Sequence, residues 1–247
     1  MIDIHCHILP GMDDGAHNLD ISIEMCRIAG YDGIKTIIAT PHYFPEQKET
    51  KNADMVLKQV KVLNRELKLK NIDVMVLSGM EVFICDEIIG LLDSKEILTL
   101  NNSRYLLIEL PLFSIPLCTQ ELFYKLMIKG IVPVIAHPER NSCIINNPGI
   151  VLEYVHRGVL IQIDTGSLKG EFGQKVKKTA KTLLKNKSVH FMATDAHNAN
   201  TRTPQISETF KYVKHLNKEL AESIFLTNPF FLINNQAIPS DNNSIDM

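Results

Sequence analysis

The sequence carries no excess of either charge: 26 Lys and Arg against 28 Asp and Glu leave a formal net charge of -2 over 247 residues. Such a chain has no basic field to draw it to nucleic acid or anionic lipid, so any anion it binds must be held by a local arrangement of groups. Paired cysteines are missing as well. Cys6, Cys26, Cys85, Cys118 and Cys143 are odd in number and scattered, with no C-x-x-C among them, which argues against a disulfide framework and a thiolate zinc site and for reduced, mostly buried thiols. No apolar run approaches the roughly 18 residues of a membrane-crossing helix. The opening Met1-Ile2-Asp3-Ile4-His5 lacks the basic and apolar regions of a secretory leader. The expectation is a cytoplasmic protein without membrane insertion.

What remains is an ordinary globular composition, 45% apolar and 22% charged, at a length that one core can organise. Residues 1–239 read as a single domain, and the polar, aperiodic stretch 240–247 reads as a mobile tail. Short runs of Val, Ile and Leu predict seven strands: Ile2 to His5, Ile34 to Thr40, Asp73 to Leu77, Tyr105 to Leu110, Val132 to Ala136, Val159 to Ile163 and Val189 to Ala193. Helical spacing predicts Leu19 to Ala29, Asp54 to Leu69, Asp86 to Leu92, Thr119 to Lys129, Pro148 to Arg157, Gln174 to Lys185, Pro204 to His215 and Glu219 to Phe225. Continuously apolar strands that alternate with helices are buried on both faces in a parallel sheet, and the number of units suits a closed α/β barrel of about seven strands.

In such a barrel the C-terminal ends of the strands surround one mouth, and that is where His, Asp and Glu collect. Strand one ends in His5-Cys6-His7, whose imidazoles, two residues apart, share a side while Cys6 turns away into packing. Later strands run into Thr40-Pro41-His42, Gly79-Met80-Glu81, Glu109-Leu110-Pro111, His137-Pro138-Glu139-Arg140 and Thr194-Asp195-Ala196-His197, and Asp14 lies in the turn after strand one. One H-x-H pair is weak evidence, and an Asp before Gly is ordinarily a turn or cap. Nine convergent nitrogen and carboxylate groups exceed the four that one zinc-like ion uses, so the set implies two or three divalent ions. Ligation without thiolate allows Mn, Fe, Zn or Mg, with Mn foremost. His17, His156, His190 and His215 fall away from this mouth, in helices or strands, and are expected to be structural or exposed.

The order His5-x-His7, Asp14, His42, Glu81, Glu109, His137 and Asp195-x-His197 resembles the polymerase and histidinol phosphatase (PHP) family, and within it the bacterial capsule and exopolysaccharide tyrosine-protein phosphatases. The closer similarity rests on Ile2-Asp3-Ile4-His5-x-His7, Asp13-Asp14-Gly15, Ala136-His137-x-Glu139-Arg140 and Asp195-x-His197-Asn198 followed by Arg202 and Pro204. The resemblance implies a distorted TIM-like (β/α)7 barrel of PHP type. It implies one ion held by His5, His7, Glu81 and Asp195, a second by Glu81, Glu109 and His137, and a third by Asp14, His42 and His197. Arg140 and Arg202 take the family's phosphate-binding positions, where a planar guanidinium grips a phosphoryl group through paired hydrogen bonds.

The activity implied is hydrolysis of protein phosphotyrosine by a metal-bridging hydroxide. The implied partner is an autophosphorylating bacterial tyrosine kinase that controls capsule or exopolysaccharide synthesis. Thiol chemistry is excluded directly, because no cysteine has an arginine six residues on. Three readings compete: a small-molecule phosphatase such as one acting on histidinol phosphate, a metal-dependent amide or ring hydrolase, and a noncatalytic metal-binding scaffold. The two arginines speak against the amide hydrolase and the complete donor set against the scaffold.

Overall fold

In the computed structural model, which describes residues 1–45 and 52–239, the apolar runs pair as parallel strands. β1 (Ile2–Cys6), β2 (Thr36–Ala39) and β4 (Met75–Ser78) form one sheet in the order β1-β2-β4. The second sheet is β3-β5-β6-β7-β8-β9, from β3 (His42–Tyr43), β5 (Glu81–Phe83), β6 (Tyr105–Glu109), β7 (Val132–Ala136), β8 (Leu160–Asp164) and β9 (Phe191–Ala193). β3 prolongs β2 beyond Thr40-Pro41, and β5 prolongs β4 beyond Gly79-Met80, so the nine segments make seven strands. Pro41 has no N–H to donate and interrupts the first ladder. At the second break a Cβ on Gly79 would stand 2.9 Å from Ile38 Cγ2, which only glycine avoids. The ring closes where Cys6 bridges Ala196 and the N–H groups of His7 and Asp195 donate to the carbonyls of Ala196 and His5, each at 2.9 Å. The architecture is the distorted (β/α)7 barrel expected.

Two buried clusters follow from the in/out alternation of the strands. Ile4, Ile38, Leu107, Val134, Phe191 and Ala193 fill the barrel, closed below by Leu100 and Leu232, while Ile37, Val76, Leu106, Ile135, Ile161 and Met192 face the helices. Those helices are α1 (Leu19–Tyr31), α2 (Ala53–Leu69), α3 (Ile88–Asp93), α4 (Thr119–Ile128), α5 (Ser142–Asn146), α6 (Gly149–His156), α7 (Thr165–Lys169), α8 (Gln174–Lys185), α9 (Ser207–Leu216), α10 (Lys218–Glu222) and α11 (Asn228–Ile233). Asn18 and Asn52 cap α1 and α2 by accepting from the N–H groups of Ile21 and Met55. α5 and α7, of five residues each, are too short to express a helical period, and α11 continues the helix begun at α10 through a π-helical turn at Ser223–Thr227. Cys6 and Cys26 are buried, whereas Cys85, Cys118 and Cys143 are partly exposed. Among the described residues no helix is long and apolar enough to cross a membrane. The expected tail, 240–247, lies outside the described residues.

Candidate metal centre

The backbone leaves regular β geometry where it must aim a side chain into the mouth. Asp3 pairs with Ile37 but Cys6 with Ala39, so β1 carries one extra residue between them. Such a bulge reverses the in/out phase. Ile4 thus packs inside the barrel and Cys6 outside it, and His5 and His7 share the mouth. His137 and Asp195, just past β7 and β9, sit at φ 31° and 49°, left-handed values that cost a non-glycine residue about 1 kcal/mol. After β1, Asp13-Asp14-Gly15 folds down on His7 so closely that a Cβ on Gly15 would stand 2.1 Å from the His7 carbonyl oxygen.

All nine expected donors meet. Glu81 is at the centre, fully buried: its Oε2 lies 3.2 Å from His5 Nε2, 3.3 Å from His7 Nε2 and 3.0 Å from His42 Nδ1, and its Oε1 lies 2.8 Å from His137 Nε2. Asp195 Oδ1 is 3.4 and 3.2 Å from Nε2 of His5 and His7. Glu109 lies 3.6 Å from His42 and 3.9 Å from His137, and Asp14 lies 3.3 Å from His197 and 3.7 Å from His42. The distances group the donors as His5, His7 and Glu81; His42, Glu81 and Glu109; and His7, Asp14, His42 and His197. His42 thus joins Glu81 and Glu109, and His137, the residue that the resemblance put with them, lies beside both carboxylates as well; His7, His42 and Glu81 are each shared between groups.

The hydrogen bonds around the imidazoles fit a cation. His5 Nδ1 lies 2.9 Å from Gln162 Oε1, His7 Nδ1 2.6 Å from Asp13 Oδ2, and His197 Nδ1 2.9 Å from the Asp195 carbonyl. Each partner is an acceptor, so each Nδ1 carries the proton and each neutral ring presents a bare Nε2. The Nε2 atoms of His5 and His7 are then two lone pairs 3.1 Å apart, a repulsive contact unless a cation or an added proton lies between them. Glu81 Oε2 and His42 Nδ1 are buried without a hydrogen bond of acceptable angle despite their 3.0 Å separation. These atoms face a common point and not one another, and the donor set suits a hard or borderline divalent ion.

Without such an ion the protons compensate. Burial alone would lower His7, but Asp13, Asp195 and Glu81 outweigh it and raise its pKa. Burial alone would raise Glu81, but His5 and His137 hold it low. Glu109 goes up, through burial and the neighbouring Glu81 carboxylate.

Arg140 and Arg202 lie beside this cluster. Arg140 Nη1 donates to Asp195 Oδ2 at 2.7 Å and contacts Asp164 Oδ2 at 3.3 Å, and Arg202 Nη2 donates to Asp195 Oδ2 and, at 3.0 Å, to the Asp195 carbonyl. One carboxylate thus joins the donor cluster through Oδ1 to a pair of guanidinium groups through Oδ2. The supporting residues are the ones the sequence reading missed. Gln162 donates to Asp164 Oδ1 at 2.9 Å, which turns its own oxygen toward His5. Glu139 accepts from the Asp164 N–H and the Ser167 hydroxyl. Asp13 accepts also from the N–H groups of Gly15 and His42, and buried Asp3 accepts from Thr194 beside Asp195. Polar residues alternating in the apolar strand Leu-Ile-Gln-Ile-Asp were the available signal for Gln162 and Asp164. His156 and His215 are exposed helical residues, as expected. His17 instead lies exposed in the loop before α1, and His190 precedes β9, where its ring accepts the Ile161 N–H.

A (β/α)7 barrel whose mouth gathers five imidazoles, four carboxylates and a guanidinium pair is a metal-dependent hydrolase barrel. Residues 1–234 match the family described as Capsular polysaccharide synthesis, CpsB/CapC. The chain is 42% identical over 246 residues to the tyrosine-protein phosphatase YwqE of Bacillus subtilis, covering 99% of this chain and 93% of that protein. It is 35% identical over 240 residues to the putative tyrosine-protein phosphatase CapC of Staphylococcus aureus, covering 96% and 93%. Among solved structures, one from the work on YwqE of B. subtilis and CpsB of Streptococcus pneumoniae, described as unique metal-dependent tyrosine phosphatases, superposes with a TM-score of 0.92 at 41% identity, covering 97% of this chain and 96% of that one. The chain belongs to the CpsB/CapC family.

Proposed function

We propose that this chain is a metal-dependent protein-tyrosine phosphatase. The observation that carries the reading is the junction at Asp195, where an anion-gripping arginine pair meets a cluster of donors built for divalent cations. His5, His7, Asp14, His42, Glu81, Glu109, His137, Asp195 and His197 are the proposed ligands of two or three ions, Mn foremost with Fe, Zn or Mg as alternatives. Bound there, divalent ions supply a water acidified toward neutral pH and positive charge for phosphoryl oxygens.

The chain's own residues do the rest. Asp13 and Gln162 hold His7 and His5 in the tautomer that ligates. Arg140 and Arg202 bind the nonbridging oxygens and stabilise the charge that spreads over them in an in-line displacement. The phenol that departs has a pKa of about 10 and needs no strong general acid. We assign none.

The substrate is a phosphotyrosine protein, and we take it to be an autophosphorylating bacterial tyrosine kinase of capsule or exopolysaccharide synthesis. The names of YwqE and CapC support phosphotyrosine and the family description supports capsule synthesis; the kinase rests on the resemblance read in the sequence. Such a kinase draws on cytoplasmic ATP, so the phosphatase acts in the cytoplasm. The test is phosphate release by the manganese-loaded chain from a phosphotyrosine peptide, a phosphoserine peptide and histidinol phosphate. Release from phosphotyrosine at least tenfold above both others supports the reading; preference for histidinol phosphate would transfer the same site to a small-molecule phosphatase.

A further inference from the structure

Two guanidinium groups share Asp195 Oδ2, and like charges drawn to one oxygen repel each other. Arg140 also contacts Asp164 Oδ2 and Arg202 the Asp195 carbonyl, but the other group that both guanidiniums share is a single aromatic ring. Arg140 Cζ lies 4.5 Å and Arg202 Cζ 5.6 Å from the centroid of Phe172, both within cation–π range. The strand order β7-β8-β9 explains the convergence. Arg140 follows β7, Arg202 follows β9, and Phe172 follows β8 and α7, so the Phe172 segment emerges between the two that carry the arginines.

The segment is shaped to deliver this ring. Gly170 and Gly173 flank it at φ 97° and 94°, values that a side chain rarely adopts, and the N–H groups of Gly170 and Glu171 both donate to the Gly166 carbonyl. A Cβ on Gly166 would displace the Glu171 carboxylate, which it meets at 2.5 Å, and press on the Phe172 ring at 3.1 Å. Phe172 nevertheless stays partly exposed and belongs to neither buried cluster, so packing of the core does not account for its placement.

We infer that Phe172 is a positioning residue for phosphate recognition: its π face holds Arg140 and Arg202 as a preorganised pair, so that a phosphoryl group meets both guanidiniums without first ordering them. The inference rests on the phosphatase reading and deepens it. The negative face of the ring offsets the repulsion between the two cations, and it does so without hydrogen-bond acceptors, leaving their free N–H groups for phosphoryl oxygens.

The test uses the full manganese-loaded chain and three variants, Phe172→Leu, Phe172→Trp and the pair Arg140→Ala with Arg202→Ala, each checked for melting temperature and metal content. Two constants are read: KM for a phosphotyrosine peptide and the inhibition constant of inorganic phosphate, which has no ring to stack on Phe172. Phe172→Leu is expected to weaken both by about tenfold, the size of two partly exposed cation–π contacts. Phe172→Trp should restore both, and Phe172→Leu should add nothing in the Arg-to-Ala background.

Phosphate inhibition within twofold of the parent in a folded Phe172→Leu protein would overturn the inference, as would a further tenfold loss in the Arg-to-Ala background. If Phe172→Leu fails to fold, failure of Phe172→Trp to retain parental phosphate inhibition overturns it. If the double Arg variant keeps parental constants, the arginine clamp itself fails and the inference falls with it; if that variant is impaired and Phe172→Leu is not, only the inference falls.

Discussion

Asp13 touches no proposed metal position, yet its replacement should be felt there. Its Oδ2 accepts from His7 Nδ1 at 2.6 Å and from the His42 N–H at 3.0 Å, and its Oδ1 from the Gly15 N–H at 2.9 Å. One buried carboxylate thus fixes the tautomer of one proposed ligand, the backbone of a second and the turn that presents Asp14. His7 and Gly15 in turn depress the Asp13 pKa against the effect of burial. In Asp13→Asn the new amide nitrogen must face either His7 and His42 or Gly15, so one side of the contact sets donor against donor. Outer-shell partners of this kind are typically worth 10- to 100-fold in metal affinity, about 1.4 to 2.7 kcal/mol. Calorimetric titration of the metal-stripped variant with Mn should show that loss, with a smaller change in melting temperature than in metal affinity. Affinity within twofold of the parent in a folded Asp13→Asn protein would refute the tautomer argument.

Other perturbations have defined outcomes. Gly15→Ala must move the backbone against the His7 carbonyl, and overpacking of this kind costs about 2 kcal/mol; a urea midpoint equal to the parent's would contradict the contact. Glu81→Gln keeps the shape of the central residue but removes the charge facing four imidazoles. It should lose at least one bound metal per chain by elemental analysis and about 100-fold in turnover. Asp3 is raised to about 6 by burial, only partly offset by its bonds to Thr194. The folded state therefore holds a proton that the unfolded state releases near pH 4, and stability falls as pH rises from about 4 to 6. Asp3→Asn should flatten that portion of the stability profile in denaturant titrations, and an unchanged slope would count against the assignment.

The strands were legible because most are short apolar runs set between helical stretches, and the candidate donors because they recur where strands stop. Two features resisted. The bulge in β1 and the left-handed residues His137 and Asp195 are not encoded by any glycine, since tertiary contacts impose them. Without them a regular alternation would still have paired His5 with His7, so the local inference was right although the strand is irregular. The supporting shell was hidden for another reason. Asp13, Gln162 and Asp164 act through bonds that span 6, 157 and 24 positions, and no periodicity reports such partners. The closeness of His42 to Glu81 was equally invisible, because only the side-by-side register of β3 and β5 brings the two opposite each other.

The most direct test of the central claim is phosphotyrosine hydrolysis followed while Mn is added stepwise to metal-stripped protein, with bound metal measured on the same samples. The account predicts no turnover in the stripped protein, a rise that begins once a second ion per chain is bound, and no recovery in Glu81→Gln. Hydrolysis by the metal-free chain, or full activity with Glu81 replaced, would contradict it.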